Sequence, residues 1–136
     1  MTTSPASRLP PPNMLAITHL IYGLHAFAVV SAILGSATIV FSFIASLPSI
    51  VAVVLNYWNQ RAVRDSWLES HFRWQIRSFW FAVLWVLIAV LMMLTVVGLP
   101  FAFIVLLVLG LWISYRIVRG WWVLLDQRPM PLPPGD

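Results

Sequence analysis

The first half of the chain is dominated by one long uncharged stretch. No Asp, Glu, Lys or Arg occurs from Met14 to Tyr57, a run of 44 residues. A single helix of that length would be about 66 Å long, whereas the hydrocarbon core of a bilayer is about 30 Å thick. The run must therefore fold back on itself. We place the break at Gly35-Ser36, which predicts helices at residues 14–34 and 37–57.

The second predicted helix contains Pro48, and we expect a kink there because proline frees a backbone carbonyl of the preceding turn. The hydroxyl of Ser46 or Ser49 could satisfy that backbone. An alternative keeps one long helix to about Ser46, followed by a short, partly re-entrant helix from Pro48. A cleaved signal peptide fits less well, because the first apolar run of about 21 residues exceeds the usual ~7–15.

Two further apolar stretches predict a second hairpin. They cover residues 78–97 and 101–119, with a tight turn at Gly98-Leu99-Pro100 between them. Gly120 is expected to end the last helix, as glycine often does. The predicted fold class is therefore an all-α, polytopic membrane protein with four transmembrane helices in two tight hairpins.

The connecting loop, residues 58–77, carries most of the charge. Ser66-Trp67-Leu68-Glu69 has the form of a capping box, so an interfacial lead-in helix is expected to start at Ser66. Arg61–Asp65 and Glu69–Arg73 have the i,i+4 spacing of helical ion pairs. This lead-in helix would run directly into the third span.

The two ends of the chain are expected to be tails. Residues 1–13 contain a triple proline, which favours an extended, disordered segment, and Asn13 is a suitable cap for the helix that follows. Residues 121–136 combine a short amphipathic stretch with a second proline-rich segment. The four-helix transmembrane domain would then occupy residues 14–120.

Composition supports a membrane protein and limits its chemistry. Hydrophobic residues make up 61% of the chain and charged residues 9%, against about 25% charged residues in soluble domains. There is no Cys, which excludes disulfides and Cys-type metal sites. No nucleophile–base pair, phosphate-binding loop or metal motif occurs, so we expect neither an enzyme nor a cofactor.

The arginines predict the orientation. With four spans, the N-terminal tail, the central loop and the C-terminal segment share one side, and all eight basic residues fall there, whereas three spans would divide them four against four. Arg excess marks the cytoplasmic side. We therefore expect a membrane protein with both termini cytoplasmic, contacts to anionic lipid headgroups and no nucleic-acid partner. The arginines are Arg8, Arg61, Arg64, Arg73, Arg77, Arg116, Arg119 and Arg128.

Few polar residues are candidates for a site. His25 would lie about 16 Å into the first span, where a hydrogen bond to a facing hydroxyl is favoured over a proton relay or a haem ligand. His19 lies near the cytoplasmic boundary, where it could meet His71, although the spacing does not favour a metal. The densest polar cluster would form a docking surface or contact lipid phosphates. It consists of Glu69, His71, Arg73, Gln75 and Arg77.

Small residues four positions apart, such as Gly110 and Ser114, allow helices to approach closely. Within one chain we expect them to pack the internal bundle, with an oligomer contact as the alternative.

Four segments carry a family resemblance: THLIYGLHA, LPSIVAVVLNY, WLESHFRWQIRSFWF and YRIVRGW with the later RPMP. Together they resemble a family of small bacterial inner-membrane proteins of unknown function. That family is distantly similar to the inner-envelope channel component of the chloroplast protein-import machinery. The likeness covers about residues 17–131. It implies four helices with both ends cytoplasmic, and recurring positions at His19, Pro48, His71, Gln75 and Gly120.

These features favour a non-enzymatic accessory or assembly subunit that binds other membrane proteins. The alternative is an oligomeric pore or carrier for a small solute or polypeptide, with His25 and the Pro48 kink lining its path.

Overall fold

Four α-helices form the fold. A computed structural model describes residues 8–34 and 39–131, apart from the side chains of residues 34 and 39–45. The described helices are α1 (Pro12–Leu34), α2 (Ile39–Asn59), α3 (Leu68–Met93) and α4 (Gly98–Leu125). This part of the chain has no β-strand, and its one isolated β-bridge joins Arg8 to Ser66. The all-α prediction is confirmed.

The helices pair into two hairpins, α1 with α2 and α3 with α4, and α1 also contacts both α3 and α4. The predicted fold-back of the first apolar run is therefore present. A single helix continuing to Ser46 does not occur, because α1 ends at Leu34 and α2 returns along it. The break predicted at Gly35-Ser36 lies outside the described residues.

Three of the described helices are long and apolar enough to cross a membrane: α1 as far as Ile33, α3 and α4. This finding supports a membrane location. The predicted arrangement was four spans, with an interfacial lead-in helix that starts at Ser66 and runs directly into the third span. Among the described helices three can span rather than four, and residues 68–77, which were predicted as the lead-in, are the first turns of α3 itself.

The start of α3 differs from the predicted capping box. The helix begins at Leu68, and the Ser66 hydroxyl donates to the carbonyl of Val63 at 2.6 Å instead of capping the helix. The Glu69 carboxylate accepts from the backbone N–H of Asp65 at 2.8 Å. The box is not formed because the preceding residue, Asp65, has a left-handed backbone with φ 63°, which turns the chain away from helical geometry.

That turn also prevents the predicted Arg61–Asp65 pair. Residues 60–65 form turns rather than a helix, so the i,i+4 spacing no longer brings the two side chains together. Asp65 instead lies 3.9 Å from Arg8. At the start of α1, Pro12 is the first helical residue, a position that proline tolerates well, and Asn13 lies inside the helix.

The turn between α3 and α4 lies four residues earlier than predicted, at residues 94–97. Gly98 is already the first residue of α4. A Cβ built on Gly98 would lie 2.2 Å from the carbonyl oxygen of Met92, so only glycine fits there. The Thr95 hydroxyl closes the turn, because it donates to the Met92 carbonyl and accepts from the Gly98 N–H.

The buried core lies at one end of the bundle, where α1 and α3 start and α2 and α4 end; we call it the arginine end. Tyr22, Leu68, Phe72 and Leu124 pack together there with almost no exposed surface. Towards the other end α3 and α4 expose large apolar side chains. Contiguous apolar surface of this kind is unusual in soluble monomers and is what a lipid-facing helix presents.

Candidate functional site

His71 joins three segments at the arginine end. Its side chain is fully buried, its Nδ1 lies 2.9 Å from the hydroxyl of Tyr22, and its Nε2 lies 2.7 Å from the carbonyl oxygen of Arg128. A carbonyl can only accept, so Nε2 donates and, in the neutral ring, Nδ1 accepts from the Tyr22 hydroxyl. His71 therefore links α3 to α1 and to the chain beyond α4.

Tyr22 is also the contact point between α1 and α4. Its ring stacks on Trp121, with ring centroids 6.4 Å apart, and Trp121 donates to Nδ1 of His19 at 3.0 Å. A Cβ built on Gly120 would lie 2.5 Å from the Tyr22 hydroxyl oxygen. The prediction that Gly120 ends the last helix is wrong, since α4 continues to Leu125 and the glycine serves this close approach.

The described residues after α4, 126–131, pack against the start of α3. Met130 is buried, and its backbone N–H donates to the hydroxyl of Ser70 at 2.8 Å. Ser70 precedes His71, so residues 126–131 hold to the first turn of α3 through two neighbouring side chains. Residues 121–125, which were expected to belong to the C-terminal tail, are the last turns of α4.

The predicted polar cluster on α3 divides between two faces of that helix. Glu69 and Arg73 form the expected ion pair, with 2.8 Å between carboxylate and guanidinium, and Arg77 is exposed one turn further on. His71 and Gln75 are buried. Successive residues of a helix differ by about 100° in direction, so the two sets cannot form one docking surface.

His25 has the hydroxyl partner that the sequence favoured. Its Nδ1 lies 3.2 Å from the Ser49 hydroxyl, next to Pro48 inside α2, while its Nε2 is buried and has no partner within the described part of the chain. His19 and His71 hydrogen bond to other residues and do not pair with each other. The described residues contain no group of three or more His, Asp or Glu side chains that could hold a metal.

A cavity of about 590 Å³ lies between the two hairpins, and all four helices contribute to it. Its walls are mostly apolar. The polar residues that line it are Tyr22, His25, Ser46, Ser49, Trp74, Gln75, Ser78 and Arg116.

Gln75 and Arg116 give the cavity a polar end. Gln75 is 3% exposed, and among the residues that the structure describes neither atom of its amide has a hydrogen-bond partner; leaving such a group unsatisfied costs about 1–3 kcal/mol. The guanidinium of Arg116 lies 3.5 Å from the ring centroid of Trp74 and donates to the Ser78 hydroxyl. Within the described residues it has no carboxylate partner. The Gln75 amide, which can donate and accept, and the Arg116 cation therefore line one end of an otherwise apolar cavity.

α4 also carries two small residues, Gly110 and Ser114, at the edge of its exposed apolar face. A Cβ built on Gly110 would meet no atom within 4 Å, so the predicted packing of Gly110 inside the bundle is wrong. The Ser114 hydroxyl turns back onto the Gly110 carbonyl at 2.8 Å. Large exposed apolar side chains flank these two small residues, namely Phe103, Leu107, Leu111, Val118 and Trp122.

The sequence interpretation missed three residues that organise the site: Tyr22, Trp121 and Arg116. Tyr22 lies three residues from His19 and three from His25, so it neighbours both histidines on the surface of α1. That spacing could have marked Tyr22 as part of the polar site. Arg116 was expected at the end of the last span, but α4 continues nine residues beyond it. Its spacing of four from Trp112, over which its guanidinium also lies, could have placed it.

Comparisons with known proteins add no identification: no family model, curated protein or solved structure matches this chain.

Proposed function

We propose that the protein crosses a bacterial inner membrane four times, with both termini cytoplasmic. α2 has 21 residues, about 32 Å of helix, and it packs antiparallel to a helix that can itself cross. An even number of crossings keeps all eight arginines on one side, which agrees with the positive-inside rule.

We further propose that the protein is a non-enzymatic accessory or assembly subunit that binds another membrane protein. The observation that carries this proposal is the half-buried Gly110–Ser114 pair at the edge of the exposed apolar face of α4, with open space around Gly110. Within a helix, glycine costs about 1 kcal/mol relative to alanine, and among the described residues Gly110 allows no close contact that would offset this cost. Small residues four positions apart are where transmembrane helices of two proteins pack closely.

Copurification in mild detergent tests this function. We expect a stoichiometric membrane-protein partner with the native chain and its loss with Gly110→Leu, which fills the contact. Val108→Leu, on nearly the opposite side of α4 and exposed, is the matched control and should retain the partner. A monomer, or equal retention by both variants, would contradict the proposal.

A second candidate function, an oligomeric pore or carrier for a small solute or polypeptide, is favoured by one observation. His25 and Ser49 line the cavity between the hairpins, and no described residue pairs with one of the ring nitrogens of His25. Replacement of His25 by Leu separates the two functions. An accessory subunit should keep its partner in His25→Leu, whereas a conduit should lose solute flux in proteoliposomes with assembly unchanged.

A further inference from the structure

The cavity between the hairpins is long and changes polarity along its length. The residues of α3 that line it run from Trp74 to Val90, and Val90 lies 16 positions after Trp74, or about 24 Å along the helix. Gln75 and Ser78 lie at the arginine end of this run, and apolar residues follow as far as Val90. A ligand that fills this space needs a polar group at one end and a long apolar part.

The apolar part of the cavity opens to the outside of the bundle. Val83, Val86, Leu87 and Val90 line it and are still 41%, 44%, 55% and 49% exposed. In a membrane this surface faces lipid, so an acyl chain can enter from the side without passing through water.

The polar end lies at a depth suited to a lipid headgroup. Gln75 is 18 residues from the far end of α3 at Met93, and Arg116 is 18 residues from the far end of α4 at Gly98. Both distances are about 27 Å of helix, close to the ~30 Å thickness of the hydrocarbon core. A guanidinium and an amide at that level meet the phosphate layer on the arginine side.

We propose that this cavity binds one anionic phospholipid, with an acyl chain along the valines of α3 and its phosphate beside Arg116 and Gln75. Arg116 supplies a positive charge that no described carboxylate neutralises. The Gln75 amide supplies a buried N–H donor that no described residue satisfies, and its oxygen can accept from a headgroup hydroxyl. The cavity volume of about 590 Å³ lies within the range of about 300–1,000 Å³ typical of small-molecule sites; it has room for the phosphate and one acyl chain, and the second acyl chain lies in the surrounding bilayer. This lipid site is separate from the partner contact proposed on α4.

Native mass spectrometry of the full-length protein in detergent tests the proposal, with phosphatidylglycerol and phosphatidylcholine of identical chains as probes. We expect one phosphatidylglycerol per chain, preferred over phosphatidylcholine by about tenfold, as loss of a charge-assisted contact predicts. Arg116→Gln should abolish the preference and Arg116→Lys should retain much of it. Arg119→Gln removes an exposed arginine that does not line this cavity, and should leave the preference unchanged.

A second variant addresses the acyl chain independently of the charge. Val86→Trp adds bulk to the apolar wall and should weaken binding of both phospholipids, while thermal unfolding confirms that the protein remains folded. The proposal is overturned if the two phospholipids bind equally to the native chain, or if Arg119→Gln lowers the preference as much as Arg116→Gln. It is equally overturned if Val86→Trp binds normally, or if oleate competes as well as phosphatidylglycerol, which would assign the site to a free fatty acid.

Discussion

Gly120 shows how a single residue determines the distance between two helices. Glycine inside a helix is less favourable than alanine by about 1 kcal/mol, yet Gly120 lies inside α4, five residues before its end, and is buried. The Tyr22 ring occupies the space that a side chain would need. The same ring holds the hydrogen bond to His71, so a change at Gly120 acts on the whole contact between α1, α3 and α4.

We predict that Gly120→Ala destabilises the protein by about 1–3 kcal/mol, the usual cost of overpacking. The added Cβ would displace the Tyr22 hydroxyl and weaken its bond to His71. Gly110→Ala is the matched control, because its Cβ meets no atom within 4 Å and alanine improves helix propensity. Thermal unfolding in detergent should therefore show a lower Tm for Gly120→Ala and an unchanged or higher Tm for Gly110→Ala. A similar loss in both would mean that packing against Tyr22 is not the cause.

Tyr22 supplies a second prediction, for the hydrogen bond alone. Tyr22→Phe keeps the ring but removes the donor to Nδ1 of the buried His71, so we expect a loss of about 1–3 kcal/mol, the cost of an unsatisfied buried acceptor. Tyr115→Phe is the control, since the Tyr115 hydroxyl accepts from Arg119 at an exposed position next to Arg116, where water can replace it. Chemical denaturation monitored by Trp fluorescence measures both. An effect of Tyr115→Phe as large as that of Tyr22→Phe would contradict the assigned role of His71.

The sequence could predict some residue contacts and not others. The partner of His25 followed from burial alone, because a neutral imidazole in an apolar span needs a hydroxyl, and Ser49 provides it. Gly120 was misassigned because the same glycine suits a helix end and a close helix contact. Only the position of Tyr22 on a neighbouring helix distinguishes the two, and that position depends on how the helices pack.

At the scale of the elements, the apolar runs located the helices well and their ends less well. Hydropathy marks where a helix is apolar, not where it is hydrogen bonded, so α3 and α4 extend beyond the predicted spans at the arginine end. The extra turns carry His71, Gly120 and Trp121. The helical form of residues 68–77 was predicted, as the lead-in to the third span. The turn of α4 after Gly120 was not predicted, because the packing of Trp121 on Tyr22 depends on how the helices are arranged.

The segment after α4 is held to α3 by contacts that hydropathy does not indicate, and we predict that it stabilises the bundle. Truncation after Gln127 removes the carbonyl bound by His71 and the buried Met130, and should cost several kcal/mol, given about 2–5 kcal/mol for truncating one buried Met. Truncation after Pro131 leaves both contacts in place and is the matched reference. The difference in Tm between the two truncated chains measures the docking. Equal Tm values would show that residues 128–131 do not hold α3.

At the scale of the whole molecule, the charged residues and the tightly packed residues lie at the same end of the helix bundle. The described arginines and the tightly packed core occupy the arginine end, whereas the opposite half of α3 and α4 is apolar and exposed. Charged side chains are costly inside a bilayer, so this arrangement fits a membrane only if one leaflet receives all the arginines. The fold therefore makes a definite topological prediction about the loop at residues 60–67 and the turn at residues 94–97.

The absence of Cys from the sequence makes that prediction directly measurable by single-cysteine labelling. Val96→Cys places a thiol in the turn between α3 and α4, at a position 92% exposed, and it should react with a membrane-impermeant maleimide in intact cells. Ala62→Cys in the loop and Gln127→Cys after α4, both exposed, should react only after the membrane is permeabilised, because an even number of crossings returns both to the cytoplasm. If Gln127→Cys labels in intact cells while Ala62→Cys does not, α4 does not return the chain to the loop's side. If Ala62→Cys labels in intact cells and Val96→Cys does not, the positive-inside orientation is reversed and the arginine end faces outward.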